Sequence, residues 1–276
     1  MIAGALLALR EGLEAALLVG ITLGMLKRVH RPDLRRMVWA GVAGAILLSA
    51  AAAGALQAVG ASLAGGSEEF FEAATMLLAA GVLTWMIVWL HHQGHRTLSL
   101  FEAEVQVAAQ RRQSWPIFLV AFTAVLREGV ETALFLSAAA LTASMADVLA
   151  GALLGFATAA ALGYALYAST LRLNLRRFFR VTGILLMLFA AGLVAHAVHE
   201  LNEIGLIPSL IAPLWDINHV LDENSFLGQL SKALFGYNAN PSLSEALAYL
   251  AYFAALGVLL LRLNRPATFP ESRAEA

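Results

Sequence analysis

Residues 9–17 read LREGLEAAL, and residues 126–134 read LREGVETAL. The two copies start 117 residues apart, and each places one arginine and two glutamates inside a long apolar stretch. Such stretches are long enough to cross a hydrocarbon core about 30 Å thick as helices, which satisfy all of their own backbone hydrogen bonds. The two copies therefore predict an all-α membrane protein with charged residues near the middle of two helices.

The composition agrees with a polytopic membrane protein. Hydrophobic residues make up 60% of the 276 residues and charged residues 13%, whereas soluble domains average about 45–50% and about 25%. There is too little polar surface here to cover a water-soluble globule. Seven apolar spans are predicted, at about residues 2–26, 37–60, 70–91, 115–141, 147–170, 180–201 and 245–263.

Several functional classes are excluded by what the sequence lacks. It contains no cysteine, which removes disulfides, thiolate metal sites and cysteine nucleophiles. It also lacks the basic tract that binding to nucleic acid requires. Any metal ion must therefore be bound by oxygen or imidazole ligands.

The duplicated motif indicates an inverted repeat. Repeat one covers about residues 1–92 and repeat two about residues 115–201, with three predicted spans in each. Because three is odd, the second repeat must enter the membrane from the opposite side, a plan in which transporters bind substrate near the midplane. The seventh span, at about 245–263, is an addition to this three-plus-three repeat.

These features predict a single transmembrane domain over residues 1–276. An amphipathic connector at about residues 93–114 is expected on the cytoplasmic face, between the repeats. Residues 202–244 contain three prolines and several acids, which predicts a structured outer loop before the last span.

The basic residues predict the orientation, because cytoplasmic loops of membrane proteins are rich in lysine and arginine. With seven spans, fifteen of the 18 basic residues fall on one side of the membrane. That side is therefore cytoplasmic, which places the N-terminus outside and the C-terminus inside the plasma (inner) membrane.

The opposite face collects ten acids and one lysine, Lys232. Such a face would concentrate cations at the outer surface. The ten acids are Glu68, Glu69, Glu72, Asp147, Glu200, Glu203, Asp216, Asp222, Glu223 and Glu245.

Both motifs point to a cation at mid-membrane. Residues three or four apart share one helical face, so Glu11 and Glu14 are neighbours and Arg10 can pair with Glu14. Gly12 and Gly129 are expected to let the first and fourth spans cross closely at the motifs. That crossing would bring four carboxylates together, those of Glu11, Glu14, Glu128 and Glu131.

The charge count distinguishes a metal site from a structural one. Buried ion pairs that only hold the repeats in register need one carboxylate per arginine. Here Arg10 and Arg127 face four carboxylates, an excess of two negative charges. Carboxylate oxygens suit a hard, highly charged ion such as Fe³⁺. Lead and manganese are alternative ions, and a membrane-embedded di-iron enzyme is a weaker alternative because neither motif contains Glu-x-x-His.

The paired Arg-Glu-x-x-Glu motifs, together with Phe235-Gly236-Tyr237 and Pro241-Ser242 before the last span, resemble the high-affinity iron permeases, the oxidase-dependent iron transporter family. This resemblance covers nearly the whole chain. It implies a transporter rather than an enzyme, with iron as substrate and no cofactor. It also implies that Glu11, Glu14, Glu128 and Glu131 bind ferric iron in transit. The iron would be oxidised by a separate ferroxidase or supplied by a periplasmic iron-delivery protein.

Secondary metal sites are predicted outside the two motifs. Glu68, Glu69 and Glu72 lie at the outer start of the third span, where they either relay cations or complement the helix dipole. His196, His199, Glu200 and Glu203 follow one stripe at the outer end of the sixth span, as metal ligands or as a polar helix end. His91, His92 and His95 lie near the cytoplasmic end of the third span, where an interfacial polar cluster is favoured over an exit site.

Overall fold

The computed structural model describes residues 1–93, 96–110, 114–168, 174–223 and 225–263. Over these residues the chain is helical, without strands. The helices are α1 (Ile2–Arg28), α2 (Arg35–Ala61), α3 (Gly66–Gln93), α4 (Arg96–Gln110), α5 (Trp115–Thr142), α6 (Met145–Tyr167), α7 (Leu175–Glu203), α8 (Phe226–Phe235) and α9 (Leu243–Leu263). The side chains of His91 and His92, all of His95, and the predicted boundary near residue 170 lie outside the described part.

One long helix overlaps each predicted span, namely α1, α2, α3, α5, α6, α7 and α9 in turn. Five of these helices, α2, α3, α6, α7 and α9, are long and apolar enough to cross a membrane. The other two, α1 and α5, contain the motifs, so every 18-residue stretch of either helix includes at least three charged residues. The charged motifs therefore distinguish α1 and α5 from the five apolar helices.

The helices pack in three principal pairs: α1 with α6, α2 with α5, and α3 with α7. Helices α1 and α5 also touch each other directly. Glycines allow the closest approaches, because a Cβ at Gly41 in α2 would lie 2.7 Å from the carbonyl oxygen of Phe118 in α5. A Cβ at Gly155 in α6 would likewise lie 2.8 Å from the backbone nitrogen of Leu9 in α1. Small residues let the backbones within each pair come together, as in other membrane helix packings.

Two apolar clusters lie on either side of the motifs along α1 and α5. One contains the start of α1 and the end of α5, where Leu7 and Phe135 are fully buried against α3 and α7. The other contains the opposite ends, where Leu26 and Ile117 pack with Val105 of α4. The charged residues of both motifs lie between these clusters. Apolar packing on both sides therefore fixes their position along the axes of α1 and α5.

Helix α4 lies within the predicted amphipathic connector and packs on α5 and α1. Its Val105, Ala108 and Ala109 are buried, whereas most of its other described side chains are at least partly exposed.

The sequence did not predict α8, a short helix within residues 202–244, the predicted outer loop. Ser225 caps its start by accepting a hydrogen bond from the backbone N–H of Gly228, 3.0 Å away. Gly236 ends it with a left-handed backbone conformation, φ +66°. The Cα of Gly236 packs directly on Gly192 of α7, so neither position has room for a side chain. This contact fixes the outer loop against α7.

Candidate ion-binding site

Most of the motif on α1 is buried. Arg10 is 1% exposed, and its Nη1 lies 2.6 Å from Oε1 of Glu11. Its Nη2 lies 3.1 Å from Oε1 of Glu14, the pair that the i, i+4 spacing predicts. Nη1 also donates to the sulfur of Met86 in α3, at 2.8 Å. One guanidinium therefore holds both glutamates of its own motif, and a neighbouring helix holds the guanidinium.

The motif on α5 has the same internal pairing but is more open. The Nε of Arg127 lies 3.1 Å from Oε1 of Glu131 and 3.7 Å from Oε1 of Glu128. The side chain of Arg127 is 46% exposed, against 1% for that of Arg10. The two motifs are thus similar in sequence but different in accessibility.

Carboxylates from both motifs meet between α1 and α5. Glu11, Glu128 and Glu131 each have a carboxylate oxygen within 4.8 Å of the others, close enough to share one metal ion. Glu14 is outside this group of three, but it is near enough to repel Glu131 and to attract Arg127. The structure therefore brings together three of the four predicted ligands directly and leaves Glu14 beside them.

Some buried oxygens of these carboxylates have no hydrogen bond. Glu11, Glu128 and Glu131 each have one buried carboxylate oxygen, Oε2, without a hydrogen-bond partner. Buried polar atoms in proteins are nearly always paired, because leaving one unpaired costs about 1–3 kcal/mol. Three neighbouring carboxylates, each with such an oxygen, form the ligand set expected for a cation.

The two motif glycines do not lie where the sequence analysis placed them. Gly12 faces α6, because a Cβ there would lie 3.0 Å from the Cβ of Ala159. Gly129 faces α2, because a Cβ there would lie 2.8 Å from the Cβ of Ser49. The prediction that α1 and α5 cross at their glycines was therefore wrong. The glycines allow α6 and α2 to pack closely, which leaves the α1–α5 contact to the charged residues.

Two cavities reach the cluster. A cavity of about 830 Å³ extends between α1, α2, α5 and α6, and its lining includes Glu11, Ser49 and Glu128. A cavity of about 280 Å³ is lined by Val82, Trp85, Met86, Arg127 and Glu131. The carboxylates are thus accessible from two directions. One cavity lies between α3 and α5, and the other lies between the α1–α6 pair and the α2–α5 pair.

The structure brings glutamates of the two predicted secondary clusters together. Glu72 at the start of α3 lies close enough to Glu203 at the end of α7 for their charges to repel. The charges of Glu69 and Glu72 likewise repel that of Glu200 in α7. These four glutamates, which we call the outer cluster, are brought together because α3 packs on α7. Glu68 is exposed at its edge and also repels Glu72.

His196 and His199 are partly committed to other contacts. The Nδ1 of His196 lies 3.3 Å from the carbonyl oxygen of Gly192 in its own helix. The Nδ1 of His199 lies 3.1 Å from Oε1 of Glu245, and its Nε2 lies 3.4 Å from Glu203. The predicted stripe is therefore divided, since His199 links α7 to α9 while Glu200 and Glu203 face α3.

Two of the ten predicted outer acids have structural roles. Glu245 is 4% exposed and accepts hydrogen bonds from the backbone N–H and hydroxyl of Ser242, which form a capping box at the start of α9. It also accepts a bond from Asn238, at 2.8 Å. Glu223 accepts a bond from the backbone N–H of Ala239, at 2.6 Å. These two carboxylates fold the outer loop instead of facing a vestibule.

Sequence reasoning missed Met86 and Ser49. Met86 contacts Arg10 from α3, and Ser49 lies against Gly129 from α2. Neither residue belongs to a motif. The sequence distinguishes Ser49 only as a polar residue within a run of apolar residues.

Comparison with known proteins shows the family of this chain. The model of the iron permease FTR1 family matches residues 1–265. The chain belongs to the iron permease FTR1 family. It is a multi-pass membrane transporter of iron and not an enzyme, and the resemblance inferred from the paired motifs is confirmed.

Curated relatives of this permease match it over nearly the full length. The chain is 35% identical over 253 residues to ferrous iron permease EfeU of Escherichia coli O6:K15:H31 (strain 536 / UPEC), covering 90% of each chain. It is 32% identical over 249 residues to ferrous iron permease EfeU of Yersinia pestis, covering 90% of this chain and 88% of that relative. No solved structure is significantly similar to this permease.

Proposed function

We propose that this permease moves iron inward through one mid-membrane site shared by the two motifs. The observation that carries the proposal is the meeting of Glu11, Glu128 and Glu131 within 4.8 Å, with an unpaired buried oxygen on each. Glu14 joins as the fourth carboxylate during transport. Arg10 and Arg127 keep the motif glutamates ionised and in position. An apolar residue in place of any one of the four glutamates would remove an oxygen that iron needs.

The inverted repeat of seven spans is part of this proposal, with α1–α3 and α5–α7 as the two halves and α9 as the additional span. In an exchange of the two halves, α1, α2 and α3 correspond to α5, α6 and α7. The α1–α6 pair then corresponds to the α5–α2 pair, and the α3–α7 and α1–α5 pairs each correspond to themselves. All of these pairs occur. The contacts of Gly12 with Ala159 and of Gly129 with Ser49 are related in the same way. Two related halves around a central site suit alternating access.

The direction of transport follows from the proposed orientation, with the N-terminus outside the inner membrane and the C-terminus in the cytoplasm. The outer cluster, Glu69, Glu72, Glu200 and Glu203, then faces the supply of iron and would draw cations toward the motifs. We assign it, with Glu68 at its edge and His196 and His199 behind it, a relay role. A separate ferroxidase or periplasmic iron-delivery protein would dock on this face.

The oxidation state of the transported ion has two candidates. Carboxylate oxygens favour the harder ion, Fe³⁺, which supports ferric iron produced by oxidation of ferrous iron. With all six motif residues ionised, the site has a net charge of −2, which Fe²⁺ would neutralise. The relatives' names, which say ferrous iron, also favour Fe²⁺ for this chain.

Uptake by proteoliposomes containing the purified permease tests the proposal. Radioactive iron would be supplied either as Fe²⁺ without oxygen or as Fe³⁺ citrate, with Mn²⁺ and Pb²⁺ as competitors. We expect iron to accumulate with a strong preference for one oxidation state, and Glu128→Gln to stop it. Equal accumulation by Glu128→Gln, or faster transport of lead or manganese than of iron, would contradict the proposal.

A further inference from the structure

Ser49 in α2 is a buried hydroxyl without a hydrogen bond. It is 8% exposed, and its Oγ has no partner. Buried helical hydroxyls usually donate to the carbonyl four residues earlier, and Thr22, Thr132 and Thr182 do so at 2.7–3.0 Å. In the described part of the chain, Ser49 is the only hydroxyl among the buried side-chain atoms that lack a partner.

The unpaired oxygen of Ser49 belongs to the same region as the unpaired oxygens of the motifs. The other buried side-chain atoms without a hydrogen bond are on Arg10, Glu11, Glu14, Glu128 and Glu131, together with Glu69 of the outer cluster. Ser49 lies directly against Gly129 and lines the 830 Å³ cavity together with Glu11 and Glu128. Apart from Glu69, every unpaired buried atom is thus on a motif residue or on the serine that packs against a motif residue.

We infer that the Ser49 hydroxyl is a further ligand of the ion held by Glu11 and Glu128. A hydroxyl adds an oxygen ligand without adding negative charge, so the ion gains a ligand while the net charge of the site is unchanged. Hard cations such as ferrous and ferric iron accept such neutral oxygen ligands alongside carboxylates. Coordination would also give the buried oxygen the partner that it lacks.

The second repeat supplies no equivalent hydroxyl. Ala159 of α6 packs on Gly12 as Ser49 packs on Gly129, so it is the counterpart of Ser49. The extra ligand therefore comes only from α2, which draws the ion toward the α2–α5 pair and toward Glu128. An alanine is already accommodated at the equivalent contact, so replacing Ser49 with alanine should leave the packing of α2 on α5 intact.

The inference rests on the proposed transport site, and its test uses the whole permease in detergent. Fe²⁺ binding without oxygen would be measured for the unmodified protein, Ser49→Ala and Thr22→Ala. Thr22 is a matched control, because the residue is 1% exposed but its hydroxyl bonds to the carbonyl of Leu18 in its own helix. We expect Ser49→Ala to bind Fe²⁺ about tenfold more weakly, with thermal unfolding and the Thr22→Ala affinity unchanged.

A second variant reports contact with the metal directly. The chain has no cysteine, so in Ser49→Cys any thiolate-to-metal absorption in the near ultraviolet must come from residue 49. With Co²⁺ as the probe, we expect that band in Ser49→Cys and not in the unmodified protein. Full-strength Fe²⁺ binding by Ser49→Ala, or Co²⁺ bound to Ser49→Cys without the band, would overturn the assignment. Failure of the unmodified protein to bind iron would instead overturn the proposed function.

Discussion

The guanidinium of Arg10 in α1 donates to the thioether sulfur of Met86 in α3, with 2.8 Å between Nη1 and Sδ. Both residues are almost fully buried, at 1% and 3% exposed. Helix α3 otherwise packs chiefly on α7. This contact therefore links α3 to the charged centre of the molecule.

Met86→Leu should weaken transport without unfolding the protein. Leucine keeps most of the volume but removes the sulfur acceptor, a loss of about 0.5–1.5 kcal/mol. We expect iron uptake to fall roughly threefold to tenfold, because Arg10 becomes less well fixed between Glu11 and Glu14. Met76→Leu is the control, since Met76 is also buried in α3 but packs only in the apolar core. Equal uptake by both variants would show that the sulfur contact is incidental.

The glutamates of the two motifs should act as one unit. Glu11 and Glu131 lie on different helices, yet each has a carboxylate oxygen within 4.8 Å of one on the other. Glu11→Ala and Glu131→Ala should each abolish most uptake, and the double variant should be little worse than either single variant. Uptake rates of all three, normalised to the amount of protein in the membrane, measure this coupling. Independent, multiplicative losses would argue for two separate sites.

The two arginines should differ in their tolerance of lysine. Lysine keeps the charge but not the forked pair of donors. Arg10 uses that fork on Glu11 and Glu14 while fully buried, whereas Arg127 is 46% exposed. Both variants should insert normally and transport poorly, with Arg10→Lys the more impaired. Similar uptake rates in the two variants would argue against the asymmetry of the motifs.

Removing the charge of either arginine should change the pH dependence of iron binding. Without a nearby guanidinium, the motif carboxylates take up protons more readily. Protons compete with the metal, so iron binding by Arg10→Gln or Arg127→Gln should be lost at a higher pH than in the unmodified protein. Binding titrations between pH 5 and pH 8 would measure the shift. An unchanged profile together with normal transport would make the arginines structural bystanders.

The motif glycines should be needed for the close packing of α2 on α5 and of α6 on α1. A Cβ at Gly129 meets Ser49, and overpacking of this kind costs about 1–3 kcal/mol. Gly129→Ala and Gly12→Ala should lower the unfolding temperature, while Gly20→Ala, which meets nothing within 4 Å, should not. Thermal unfolding in detergent compares the three. Equal stability of all three would contradict the close packing of α2 on α5 and α6 on α1.

The sequence alone determined the helical membrane fold, the family and the charged residues of the proposed site. Apolar length, the 117-residue offset between the motifs and the i, i+4 spacing of Arg10 and Glu14 are properties of a chain read in order. They depend on helix geometry and on the cost of placing charge in lipid, which do not require knowledge of neighbouring helices.

Only the tertiary structure decided what each face of those helices touches. It turned Gly12 toward α6 and Gly129 toward α2, and it placed Met86 beside Arg10. It also assigned Glu245 to a capping box. The physical reason is that periodicity fixes which residues share a face. The partner of that face is chosen by close packing between helices far apart in sequence.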